Sequence, residues 1–154
     1  MIIIGEKING AIPSIKQAIA EKNEALIIER TLAQANAGAN FLDCAPSTAT
    51  EIEYETMVWL IGLMQGATNV PLCIDSPNAK LLARVIEEGH LNKPGMVNSV
   101  NEEGDKCETI FPLIAGTPWE VVGLTCDQEG IPADPAKKVD IAKRIIDKAV
   151  KYGV

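Results

Sequence analysis

Five short apolar runs, each followed by a longer amphipathic segment, constrain this chain more than any other feature. Residues 2–8, 41–44, 71–75, 96–100 and 119–125 read as strands. Residues 14–21 and 24–39 read as two helices after the first strand, with Ser14 as an N-cap and Gly38 as a stop. Residues 51–65, 78–89, 106–115 and 135–152 read as the helices that follow, with Asp134 capping the last and Pro112 bending the one before it. Helical spacing places Ile28, Leu32, Ala35 and Ala39 on one inward face. It does the same for Tyr54, Val58, Ile61 and Gln65, with Trp59 and Leu63 beside them. In the last helix it selects Val139, Ala142, Ile145, Ile146 and Ala149. Strands this continuously apolar are covered on both sides, which requires a parallel sheet with flanking helices. Two architectures satisfy that. A doubly wound sheet is self-contained at this length. A (β/α)8 barrel takes about 250 residues, so five βα units make roughly five-eighths of one.

The dinucleotide signature is missing. Gly5 ends the first apolar run and the next glycine is Gly10, so no GxGxxG follows it, and no phosphate-binding P-loop occurs. At 154 residues the chain is one domain with a real core. Its net charge of −7, without a cluster of Lys or Arg, argues against nucleic acid and against an anionic membrane surface. No apolar run approaches the roughly 18 residues of a membrane span, and the apolar start at residues 1–4 is too short for a signal peptide. Cys44, Cys73, Cys107 and Cys126 form no CxxC pair. They read as buried inert thiols in a reduced, cytoplasmic setting. With His90 as the lone histidine, no metal site or His-based triad is expected.

Polar residues collect where the strands end: Glu6-Lys7-Ile8-Asn9-Gly10, Asp43-Cys44-Ala45-Pro46-Ser47, Asp75-Ser76-Pro77-Asn78, Asn98-Ser99-Val100-Asn101 and Thr125-Cys126-Asp127. In a parallel α/β sheet all these ends share one rim, where ligands bind. Taken singly, Ser47, Ser76 and Asp127 read as loop or cap residues. Asp43 and Asp75 follow apolar strands directly, and a carboxylate there needs donors. A carboxylate accepts two parallel hydrogen bonds, which suits the amine and ring N–H of a 2-amino-4-oxopyrimidine edge. An amide such as Asn98 meets ring nitrogens and an oxo group. The set has few cations and no nucleophile–base pair. It points to recognition of a polar heterocycle and gives no covalent mechanism.

These segments, together with Phe111-Pro112-Leu113, Gly123-Leu124-Thr125 and Gly130-Ile131-Pro132, resemble in order the methyltetrahydrofolate:corrinoid (iron–sulfur) protein methyltransferases of the pterin-binding, dihydropteroate synthase-like superfamily. The folate module of cobalamin-dependent methionine synthase is a more distant resemblance. The resemblance implies a TIM (β/α)8 barrel, of which residues 1–154 would be the first five βα units of a pterin-binding domain, ending before a sixth strand. It implies that Asp75 and Asn98 grip the pterin, with Asp43 and Asn9 as further pterin contacts. It implies transfer of the N5-methyl of methyltetrahydrofolate to the Co(I) corrinoid (cobalamin) of a partner protein, in one-carbon metabolism. The corrinoid supplies the nucleophile. The Asn that activates N5 is expected beyond residue 154, so no catalytic residue is assigned within the chain. Weak pterin binding, no methyl transfer by the chain alone, and a homodimer are the further expectations. The alternatives are a dihydropteroate synthase-like pterin transferase and a non-catalytic pterin-binding fragment.

Overall fold

A computed structural model describes residues 1–154. The elements are β1 (Ile4–Gly5), α1 (Pro13–Ala20), α2 (Glu24–Asn36), β2 (Phe41–Cys44), α3 (Thr50–Ala67), β3 (Leu72–Asp75), α4 (Ala79–Glu87), β4 (Met96–Val100), α5 (Lys106–Ile114), β5 (Glu120–Gly123) and α6 (Pro135–Tyr152). All strand pairs are parallel and the sheet order is β1-β2-β3-β4-β5. This order decides between the two architectures. A doubly wound sheet reverses direction at a switch point, whereas these strands are laid down side by side without reversal. The molecule is an open, five-stranded parallel half-barrel.

Strand alternation sorts side chains between two faces. Leu42, Cys44, Leu72, Ile74, Val97 and Val100 point outward into the main core, where they meet Ile27, Met57, Leu60, Leu82 and Phe111 of the helices. Phe41, Cys73 and Met96 point to the other side, joined by Ile4 and Val122. That second face is the lumen of the half-barrel. Its lower layer is apolar, and its upper layer carries the polar residues of the strand ends. β4 is irregular there: its register with β5 shifts between Asn98 and Val100, and the Asn98–Ser99 peptide is cis.

The first strand is shorter than its apolar run. Gly5 lies against α2, where an added methyl would come within 2.8 Å of Gln34 Oε1, and that same oxygen accepts the Lys7 amide at 2.7 Å. Pairing then resumes beyond the interruption. The Ala45 amide donates to the Ile8 carbonyl, the Gly10 amide donates to the Ala45 carbonyl, and Asn9 bridges Ala45. Gly10 is tightly enclosed, since an added methyl would stand 2.0 Å from the Pro46 carbonyl oxygen. Gly10→Ala should therefore destabilise the fold by about 2–4 kcal/mol, because backbone rather than a flexible side chain must move. Urea unfolding measures this, and an unchanged midpoint would mean the two rim loops are not in contact.

Three helix faces differ from the sequence reading. α2 buries Ile27, Thr31 and Gln34 and leaves Leu32 exposed. The inward stripe is set by polar side chains with internal partners: the Thr31 hydroxyl donates to the Ile27 carbonyl, and Gln34 receives Lys7. α3 buries Met57, Leu60, Ile61 and Met64, so Tyr54, Val58 and Gln65 flank its inward face rather than centre it. α6 buries Ile141 and Ile145, while Val139, Ile146 and Val150 stand in solvent at 52%, 60% and 71% exposure. The start of α1 differs too. Pro13 occupies the first helical turn with Ile12 as the cap residue, so Ser14 is already inside the helix. Asp134 caps α6 as expected, accepting from the Ala136 amide at 2.9 Å. No helix is long and apolar enough to cross a membrane.

Candidate functional site

The sheet register brings Asp75 and Asn98 together. They are paired Cα partners on neighbouring strands, at the C-terminal end where β3 and β4 leave the barrel wall. The next rung down pairs Asp43 with Cys73. Asp43 therefore sits one layer deeper in the lumen than Asp75. It is 1% exposed, and its Oδ1 is buried with no hydrogen-bond partner.

The charges around these two groups are all of one sign. Burial, then the neighbouring Asp75 charge, pushes the Asp43 carboxyl from 3.8 up to about 7, with Glu6 adding a smaller push. The Cys73 thiol and the Asn98 side chain beside it oppose that rise. Burial raises Asp75 to about 6, with Glu6 and Glu53 contributing. Burial likewise pushes the Cys44 and Cys73 thiols up, keeping them protonated and unreactive. All four cysteines are free and buried.

Asp75 and Asn98 line a cleft of about 490 Å³ that extends over the loops after β4 and β5. Its far wall is a polar network. The Asn101 amide donates to Glu103 Oε2 at 2.9 Å, Lys106 pairs with the same oxygen at 2.9 Å, and the Cys126 thiol contacts Glu103 Oε1 at 3.3 Å. The exposed side chains of Leu124 and Ile131 form an apolar lip. Reading the sequence did not single out Glu103 or Lys106. They belong to the loop and helix start that follow β4, and only the three-dimensional turn brings them across from Asp75. A signal was available in the Asn101-x-Glu103 spacing, which forms a local turn in which the Glu103 amide donates to Asn101 Oδ1.

The remaining candidate, Asn9, and the other strand-end residues are held as follows. Asn9 is on the rim, but its Oδ1 already accepts the Ala11 amide and the Ser47 hydroxyl at 2.8 and 3.2 Å, so it braces the β1 and β2 loops. Ser76 is a loop residue: its hydroxyl donates to the buried Glu53 at 2.6 Å and accepts the Asn78 amide. Asp127 accepts the Glu129 amide and pairs with Lys137. His90 lies outside the lumen, where its ring meets Tyr54 and Glu88 and its carbonyl accepts from Gln65. A larger groove of about 530 Å³ runs between α1 and the start of α3, past Lys16, Ser47 and Ile52, and none of the lumen carboxylates lines it.

Fold and site together define a parallel α/β half-barrel with an acidic, amide-bearing lumen. No family model matches the chain. It is 47% identical over 156 aligned residues to the methylcorrinoid:tetrahydrofolate methyltransferase of Eubacterium limosum, an alignment covering all of this chain and 57% of that enzyme. It is 29% identical to the methionine synthases of Mycobacterium leprae and Mycobacterium tuberculosis, over 100% and 96% of this chain and 13% of each enzyme. The chain thus spans little more than half the length of the first relative and a small part of the others.

Proposed function

We propose that this chain is the N-terminal part of a pterin-binding barrel that takes part in methyl transfer between methyltetrahydrofolate and a corrinoid carried by a partner protein. The observation that carries the reading is the paired Asp75 and Asn98 at the mouth of an acidic lumen. The likeness to a tetrahydrofolate-using methyltransferase over the whole chain supports it. An ionised Asp75 takes the amine and ring N–H of the pterin edge in two parallel, charge-assisted hydrogen bonds. Asn98 both donates and accepts, so it meets the ring nitrogen and oxo group alongside. The chain's own contribution is to hold the ring and fix its angle to the barrel mouth.

The corrinoid supplies the metal centre that exchanges the methyl group with N5. The relative's name has methylcorrinoid as donor and tetrahydrofolate as acceptor. One transition state serves both directions, so the same pterin grip fits either. Polarising N5 is assigned to a group outside these residues. The open edges of β1 and β5, together with the exposed stripe of α6, support further βα units that complete the barrel.

Titrating methyltetrahydrofolate and p-aminobenzoylglutamate separately into the chain tests this reading. Binding of the first and not the second is expected. Equal binding of both, or of neither, would sink the pterin assignment. Turnover by this chain alone with a corrinoid protein would show that no further barrel segment is needed.

A further inference from the structure

The most buried carboxylate of the lumen has an unused atom, and no cation is among the groups acting on it. Asp43 is 1% exposed and its Oδ1 has no hydrogen-bond partner within the protein. Every charged group that acts on it is an acid: Glu6 from the end of β1 and Asp75 from β3. Cys73 of β3 and Asn98 of β4 face it as neutral hydrogen-bond donors that favour the ionised form and only partly offset burial and the acid neighbours. Glu53 of α3 acts on Asp75 from behind. Of the two aspartates, Asp75 lines the cleft, while Asp43 lies one layer deeper in the lumen with 1% exposure. Two adjacent carboxylates in such a place do not both ionise readily. The enclosed one holds its proton more tightly.

We propose that Asp43 acts in its protonated form, as a hydrogen-bond donor to an acceptor atom on the ligand, while Asp75 acts ionised and reads the ligand's N–H donors. The lumen would then present a donor and an acceptor from two residues of the same type, distinguished only by depth. A heterocycle carrying an N–H edge beside an oxo group or unprotonated ring nitrogen meets both demands. A ligand with donors alone leaves Asp43 unused. This inference rests on the pterin reading for its ligand. It adds a protonation state and a second recognition element to that reading.

The charge states imply a pH profile with two limbs. Binding weakens on the acid side as Asp75 takes up a proton near 6, and on the alkaline side as Asp43 loses one near 7. Well above that point each pH unit costs tenfold, and since Asp43 is already half-ionised at pH 7, affinity at pH 8.5 should be about 15-fold below that at pH 7. Asparagine keeps an N–H donor and cannot ionise. Asp43→Asn should therefore lose the alkaline limb, bind more tightly than the wild type at pH 8.5, and keep the acid limb that Asp75 sets. Asp43→Leu, which has no donor, should bind weakly at every pH.

Isothermal titration of methyltetrahydrofolate into the full chain and both variants, from pH 5 to pH 9, reads all of this. Carbon-13 NMR of labelled aspartate carboxyls in the free protein gives an independent check, with a midpoint near 7 expected in the wild type and missing in Asp43→Asn. A wild-type profile without an alkaline limb, or a limb that persists in Asp43→Asn, overturns the inference and leaves the pterin reading standing. An Asp43 carboxyl that titrates in the ordinary range overturns it without reference to any ligand. Absence of binding at any pH overturns both together.

Discussion

Replacing Asp75 with alanine should weaken methyltetrahydrofolate binding at least ~100-fold, because two charge-assisted hydrogen bonds, each about 1.5–3 kcal/mol, disappear together. The change also leaves two N–H donors of the bound ring facing a wall with no acceptor. Asp75→Asn gives a sharper result. Its amide supplies one acceptor oxygen and turns a donor towards the second N–H, so it should bind little better than alanine. Titration at a pH above 6, where the wild-type carboxyl is ionised, makes the comparison clean. Equal affinities for wild type and Asp75→Ala would remove Asp75 from the site. The fold should tolerate both variants, since Asp75 ends its strand at the cleft and its outward neighbour Ile74 carries the packing.

The second large effect is on stability. Asp43 has an ordinary value of 3.8 and is held near 7 in the folded chain. Below 3.8 the group is neutral in both states and costs nothing. As pH rises, the unfolded chain gives up this proton first while the folded chain retains it, so the folded state loses ground until about pH 7. Across that window the loss approaches ~4 kcal/mol if Asp43 is taken alone. Asp75 acts in the same direction over a narrower range, up to about 6. Glu88 and Glu103 act oppositely. Hydrogen bonds from Tyr54 and from Lys106, respectively, are the largest of the contacts holding each carboxyl near 2, so their contribution is full above about 4.5 and is lost as pH falls from there to about 2. Greatest stability should therefore fall near pH 4, with a clear decline by pH 8. Urea unfolding at the two pH values measures it. Asp43→Asn should flatten the decline and exceed the wild type in stability at pH 8. A wild type equally stable at both would mean that water reaches Asp43.

Much of the architecture was readable from residue order. The second and fourth strands lie where the apolar runs place them, and the last helix begins behind its Asp134 cap. Other features were illegible for physical reasons. The first strand breaks because Gly5 packs against Gln34, a long-range contact that no local pattern records. The inward face of α2 was misplaced because Thr31 and Gln34 are polar yet satisfied internally, so apolar spacing alone misses them. The stripe of Val139 and Ile146 was assigned inward because its spacing is that of a buried face, and in this structure nothing covers it. Half-barrel and doubly wound sheet share the same strand and helix pattern, and differ only in which strands pair. At the site, the placing of Asp75 and Asn98 on one rim followed from their strand-end positions. The greater depth of Asp43, and hence the upward push on its carboxyl, depends on a register offset between β2 and β3 that the sequence does not display.

The consecutive strand order has a consequence for how the chain forms. Each strand pairs with the one made immediately before it, one helical crossover earlier. Every βα unit can thus dock as soon as it leaves the ribosome, without waiting for a distant partner. Loop-closure entropy is met in small, successive instalments. The outer core between sheet and helices closes along with this growth, while the lumen stays open until the last unit. The lumen would then be the last part of the molecule to become shielded from water, although Asp43 and Asp75 are among the earlier residues synthesised.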